Sequence, residues 1–266
     1  RCCSRTQAVR WWCGHIMGCM PTYRDRAVVL RTYKLGEADR IISMLSRDHG
    51  KIRAVARGVR RTSSKFGGRL DPFNHVDLQL VVGRSLDVVS QVETITAYSR
   101  PLRLDYKLFT AAEVMVETAD RLVPVEKEPD PVQYRLLAGG LRTLGHGTPD
   151  GRRPAETIMD SYLLRALSAA GYAPDLQDCV VCGRPGPHAG FSPSLGGVVC
   201  ADCQPAATPH PRPETLAYLQ ALLVGDWPAV RDVPMVVIRE AAGLVSAYVT
   251  WHLERGLRSL PLLEES

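Results

Sequence analysis

The chain has 266 residues, of which 45% are hydrophobic, 23% charged and 6% aromatic, which is enough apolar material for one large or two modest cores. That composition excludes a disordered chain and a disulfide-stapled mini-fold, and the best candidate for a membrane span, residues 241–251, stops at eleven residues. The net charge of +5 is unevenly placed: residues 20–100 carry +7, residues 101–178 carry −3 and residues 179–266 carry −2. A positive excess confined to one stretch points to a polyanion-binding surface, with a solvated basic face as the alternative.

Residues 1–19 hold Cys2, Cys3, Cys13 and Cys19 at irregular spacing and lack the apolar run of a secretory signal. They read as a non-native or disordered extension, with the folded protein starting near Met20. From residue 26 to 98 the pattern is strand-like. Runs at 27–33, 41–46, 51–57, 76–82 and 86–95 are rich in Val, Ile, Leu and Thr, and turn signals such as Asp48-His49-Gly50 and Gly83-Arg84-Ser85 separate them. Five short strands with a longer connection between the third and fourth predict a five-stranded OB-fold barrel over 20–100. An SH3-like barrel satisfies the same spacing.

Beyond Pro101 the period becomes helical. Leu108, Ala111, Ala112, Met115, Ala119 and Leu122 trace one face of a helix that ends before Pro124. A second helix is predicted after Pro131, a third through Ile158 to Ala170, and two more over 214–224 and 235–256. Between them, Cys179-x2-Cys182-x17-Cys200-x2-Cys203 has the spacing of a four-thiolate zinc site, with hairpin arms at Phe191-Ser192 and Val198-Val199. Four protein ligands leave no open position, so one Zn2+ is expected there in a structural role. The predicted class is α+β multidomain: a barrel, then a helical domain over 101–266 with a zinc module inserted at 178–204.

The third strand carries the chemistry. Lys51, Arg53 and Arg57 alternate with Ile52, Ala54 and Ala56, which places the cations on one face and the apolar side chains in the barrel. Arg60, Arg61, Lys65 and Arg69 extend the charge into the next connection, and Arg31, Lys34 and Arg40 add to it from the first hairpin. These ten residues are the candidate nucleic-acid contacts. Aromatics in the region are few (Tyr23, Tyr33, Phe66, Phe73 and Tyr98), so electrostatics should outweigh base stacking and binding should tolerate differences in sequence and strandedness. No phosphate-binding loop, nucleophile elbow or HExxH motif is present. His252-Leu253-Glu254 reads as a helix end, and Glu113, Glu117 and Asp120 read as a solvated helix face. The chain is therefore expected not to be an enzyme. An OB-fold plus zinc-ribbon module acting on RNA or in transcription is the alternative class.

The run Val28-Val29-Leu30-Arg31-Thr32-Tyr33-Lys34-Leu35-Gly36-Glu37-Ala38-Asp39-Arg40-Ile41, then Gly50-Lys51, Ala56-Arg57-Gly58 and Leu70-Asp71-Pro72-Phe73, resembles the RecO family of bacterial recombination mediators. The cysteine module with Phe191-Ser192-Pro193-Ser194-Leu195-Gly196-Gly197 is similar to its zinc-bearing members. The resemblance spans residues 23–257 and implies a cytoplasmic, nucleoid-associated, non-enzymatic protein of the RecF pathway of DNA repair. It further implies binding of single- and double-stranded DNA, annealing of complementary strands, and partnership with RecR. Contact with the acidic C-terminal tail of single-strand-binding protein and help in loading RecA recombinase complete the implied role. For that tail, Arg121, Arg135, Arg142 and Arg165 on amphipathic helices are the candidate residues.

Overall fold

The computed structural model describes residues 21–148 and 151–253; the expectations for residues 1–19 and for the helix end at 254–256 fall outside that range. Five strands, β1 (Thr22–Leu35), β2 (Asp39–Ser46), β3 (Gly50–Ala56), β4 (His75–Val81) and β5 (Asp87–Thr96), close into a barrel in the order β1-β2-β3-β5-β4. Neighbours are antiparallel except β3 and β5, which pair in parallel. The long β3–β4 connection permits that closure. It ends in a 3-10 turn, Gly67–Leu70, where Phe66 and Leu70 plug the barrel end. This is the OB-like barrel that the strand spacing predicted. β1 is longer than its apolar core because its first half pairs with β4 and its second half with β2, with a bulge between Val29 and Arg31.

Helices follow: α1 (Ser99–Leu102), α2 (Tyr106–Leu122), α3 (Pro131–His146), α4 (Ala155–Ala169), α5 (Pro213–Val224) and α6 (Met235–His252). Short polar residues start two of them. Asp105 accepts the N–H groups of Lys107 and Leu108 at the head of α2, and Asp130 accepts that of Gln133 at the head of α3, with Pro131 in the first turn. A two-stranded hairpin, β6 (Gly190–Ser192) and β7 (Gly197–Val199), lies between α4 and α5. It packs on α6 through Phe191 against Tyr248, and His252 Nε2 lies 3.2 Å from the carbonyl of Pro193. At Gly197 a Cβ would stand 2.1 Å from the carbonyl oxygen of Asp175, so only glycine lets the hairpin lie this close to the chain leaving α4.

The barrel and the helices share a core. Ala27 and Val29 point into the barrel with Ile42, Met44, Ile52, Leu78 and Leu80. Val28 and Leu30 point outward, and with Leu45 and Phe73 they join a cluster built from α2, α3 and α4. Each of these four side chains is at most 2% exposed, worth about 1.5–3 kcal/mol apiece on burial. His75 Nε2 reaches Tyr134 Oη on α3 at 2.7 Å. Gly50, with φ of +64°, lets the β2–β3 turn meet the carbonyl of Glu128, where a Cβ would lie 1.7 Å away.

One buried group strains this core. Asp160 on α4 is 1% exposed, and neither of its carboxylate oxygens has a hydrogen-bond partner among the described residues. Burial pushes its pKa well above the usual 3.8, with nearby Glu156 adding to the rise. A raised carboxyl pKa means the folded state holds the proton more tightly, so stability is full below about pH 3.8 and declines as pH climbs towards the raised value. Asp160→Asn should therefore melt higher than the parent at pH 8, by about 2–4 °C per kcal/mol gained, with the gap closing towards pH 4. Thermal melts across that range check it; a gap that stays constant with pH would refute the assignment.

Candidate nucleic-acid interface and metal centre

The ten predicted cations divide into two environments. Arg31, Lys51 and Arg53 face the helical region and are engaged by its carboxylates. Lys51 Nζ lies 2.6 Å from Asp120 Oδ1 and also donates to the Asp120 carbonyl at 2.9 Å, with its side chain 14% exposed. Arg53 Nε donates to Glu126, and Arg31 sits 3.9 Å from both Glu117 and Asp120. Backbone pairing reinforces the contact, since the Lys127 N–H donates to the Lys51 carbonyl at 2.9 Å. Glu117 and Asp120 thus hold the barrel to α2, which corrects their reading as a solvated face. Glu117 is only 3% exposed. Burial pushes the Glu113 carboxyl upward, against the pull of Arg31.

Asp87 is the second anchor of this seam. It is fully buried, and it accepts Tyr23 Oη at 2.6 Å, Lys127 Nζ at 3.1 Å and the Gly83 N–H at 3.2 Å. Burial alone would raise its pKa; those three donors outweigh it and hold the carboxyl below its usual value.

The other cations gather at the barrel end formed by the β1–β2 hairpin and the β3–β4 connection. Lys34 and Arg40 are register partners across the hairpin, and Arg40 in turn lies opposite Ala56, one residue before Arg57. Arg60 Nη1 donates to the carbonyls of Glu37 (2.9 Å) and Gly36 (3.3 Å), tying the exit of β3 to the hairpin tip. The side chains of Lys34, Arg40, Arg57 and Arg61 make no hydrogen bond or ion pair among the described residues. Lys65 and Arg69 lie further along the connection, with Lys65 Nζ bonded to the Ser90 carbonyl. Of the aromatics considered for stacking, Tyr33 on the hairpin is 48% exposed, whereas Phe66, Phe73 and Tyr98 are buried and Tyr23 is tied to Asp87.

Both CxxC segments fold as tight turns: the Gly183 N–H donates to the Cys179 carbonyl, and the Cys203 and Gln204 N–H groups donate to the Cys200 carbonyl. Cys179, Cys182, Cys200 and Cys203 are free thiols whose sulfurs all lie within 4.8 Å of one another. Cys182 Sγ and Cys200 Sγ are 3.8 Å apart, the separation that tetrahedral metal–sulfur bonds of about 2.3 Å produce. The Cys200 N–H is the first of the backbone donors that hold the Cys179 thiol down to about 6, whereas bonding to Cys200 and Cys182 pushes Cys203 up to about 12. A divalent cation at their centre would offset the negative charge of thiolates brought this close together. These four residues are positioned to hold a metal ion. His188 and His210 turn elsewhere, to the Arg184 carbonyl and to Gln204.

Of the four arginines expected to meet an acidic tail, three converge. Arg135, Arg142 and Arg165 line a cavity of about 500 Å³ between α3 and α4, with Leu136, Tyr162 and Trp227 supplying apolar surface. Arg121 does not join them; it pairs with Glu117 at 3.0 Å, one turn back on α2.

An OB-like barrel with a basic rim, joined to a helical region that carries a four-cysteine site, defines a class, and comparison with known proteins narrows it. Residues 20–98 match the family model "Recombination protein O N terminal" and residues 103–261 match "Recombination protein O C terminal". A protein of Cutibacterium acnes named DNA repair protein RecO is 75% identical over 245 residues, covering 92% of this chain and all of that protein. Proteins of the same name from a Nocardioides species and from Thermobifida fusca are 53% and 51% identical, over 91% and 93% of this chain and 99% and 100% of their own lengths. The chain belongs to the RecO family.

The cysteine geometry makes a direct prediction. The parent protein should carry one divalent metal per chain, and Cys200→Ser, at a thiol 3% exposed, should lose it and melt at a lower temperature. Metal content by elemental analysis, read beside a thermal melt, checks both. A metal-free parent with an unchanged melt would refute the site.

Proposed function

We propose that this chain is a non-enzymatic DNA-binding recombination mediator, acting in DNA repair in the cytoplasm at the nucleoid. The observation that carries the reading is the set of cations left unpaired at the barrel mouth, Lys34, Arg40, Arg57 and Arg61, beside others already spent on docking the helices. Phosphates of single- or double-stranded DNA would neutralise them, and contacts of that kind position a strand without reading its sequence. With one exposed aromatic on the hairpin, bases stay free to pair while backbone charge is screened, which is what annealing of complementary strands requires. Family membership supports RecR as a partner and an indirect role in loading RecA recombinase onto DNA coated by single-strand-binding protein. In this reading the four cysteines hold one structural Zn2+, which fixes the hairpin against α6 and performs no step of its own.

The mouth can be separated from the seam by mutation. Arg57→Glu with Arg61→Glu should weaken binding to all sequences alike and reduce the log–log salt slope on single strands by about 1.4, two contacts at about 0.7 each. Annealing should fall in parallel. Lys51→Ala should instead lower the melting temperature, because it strands Asp120 at the docking interface. Fluorescence anisotropy across a salt series provides the measurement, and a folded mouth variant with the parent's affinity and slope would overturn the reading.

The cavity of Arg135, Arg142 and Arg165 is the proposed seat of the acidic tail of single-strand-binding protein: guanidinium groups for its carboxylates, and Trp227 and Leu136 for its apolar side chains. Changing the three arginines to Ala should weaken binding of a tail peptide by at least about tenfold, about 1.4 kcal/mol, while Arg121→Ala should not. Unchanged titrations with the triple variant would place the tail elsewhere.

A further inference from the structure

A second basic cavity opens beside the barrel, and of the ten predicted nucleic-acid contacts only Arg69 lines it. Its volume is about 640 Å³, within the size range of small-molecule sites, and it lies where the 3-10 turn, the end of β5 and α1 meet. Arg69, Arg100 and Arg103 stand on its rim, and Asp71, paired with Arg103 at 3.4 Å, is the single carboxylate among its described lining residues. Arg69 is held in place by donating to the Lys65 carbonyl at 2.8 Å. Between the guanidinium groups the lining combines apolar surface with the polar residues Asn74, Thr94 and Ser99. Ala97 is exposed there, Leu104 is 85% exposed, and Phe66 closes the back.

Tracking a phosphate backbone needs only charges on a surface. This site is concave, with apolar and polar residues inside and cations along its lining, so it fits a ligand that joins an anion to a flat, weakly polar body. The neighbouring surface indicates what that ligand belongs to. The connection from residue 57 to 71 begins at the barrel mouth with Arg57, Arg60 and Arg61, passes Lys65 and reaches the cavity at Arg69. A nucleic-acid backbone that follows this connection from the mouth arrives at the cavity.

We propose that the cavity between the barrel and α1 receives one unpaired nucleotide of a single strand, its phosphates on Arg69, Arg100 and Arg103 and its base against Ala97 and Leu104. This rests on the nucleic-acid reading and goes beyond it in giving the protein a preference for single strands, where charge alone predicts none. A duplex keeps its bases paired and stacked and cannot fill the site without giving up that stacking.

The test compares affinity for an oligothymidylate of about 20 nucleotides with that for a duplex of the same length, at one ionic strength. Ala97→Trp fills the cavity without altering charge, and Leu104→Glu, at a side chain that makes almost no packing contact, opposes phosphate there without touching the core. Both variants should lose about tenfold in single-strand affinity and little in duplex affinity. The mouth variant Arg57→Glu, Arg61→Glu should lose both together. If Ala97→Trp and Leu104→Glu keep the parent's ratio of single-strand to duplex affinity, or lower both affinities equally, the cavity holds no nucleotide, even if the mouth variant behaves as expected. If the mouth variant binds both ligands like the parent, the nucleic-acid reading itself fails.

Discussion

The middle of β1, from Ala27 to Leu30, is buried on both faces, and most of the molecule is arranged around that constraint. Its residues alternate between two cores: Ala27 and Val29 serve the barrel, while Val28 and Leu30 serve the helices. Four apolar side chains on the outer wall, at about 1.5–3 kcal/mol each, outweigh the ion pairs at the same seam, since exposed pairs contribute about 0–1 kcal/mol and the less exposed Lys51–Asp120 pair must offset its desolvation. The apolar contact therefore supplies the docking energy. The ion pairs set its orientation, because Arg31, Lys51 and Arg53 meet Glu117, Asp120 and Glu126 in one arrangement.

That arrangement divides the barrel's positive charge by use. Cations next to α2 are neutralised from within the chain, and those at the mouth are left to solvent or to a ligand. The same acidic helix that binds the barrel thereby leaves the barrel's unpaired positive charge at one end of it. α2 also sits between barrel and bundle, so its carboxylates are partners of the barrel and its Ala111, Val114 and Met115 are core of the bundle.

Much of this was legible in the chain, and the gaps have physical causes. Turn residues and apolar runs located all five strands, and helical spacing located α2 to α6, because both signals are local. The CxxC pairs were equally clear, since ligand spacing is set by the turn that presents the sulfurs. What could not be read was which cations are consumed: the partner of Lys51 is 69 residues away and that of Arg53 is 73 away, and period-two alternation says only that both side chains point outward. One signal was present and went unused. Ala27-Val28-Val29-Leu30 has no polar residue on either face, which for a strand means burial on both sides. The cavity of Arg69, Arg100 and Arg103 was invisible for another reason, because it is assembled from segments with no pattern in common.

The shared core also bears on what counts as a unit in this protein. Two family models meet between residues 98 and 103, and sequence treats that point as a boundary. Folding does not respect it. A barrel cut free there would turn Val28, Leu30, Leu45 and Phe73 towards water as one adhesive stripe, and a helical region cut free would carry Asp120 without Lys51 and Arg31. The junction is a seam of ancestry rather than of autonomy, and each half serves the other as its missing solvent.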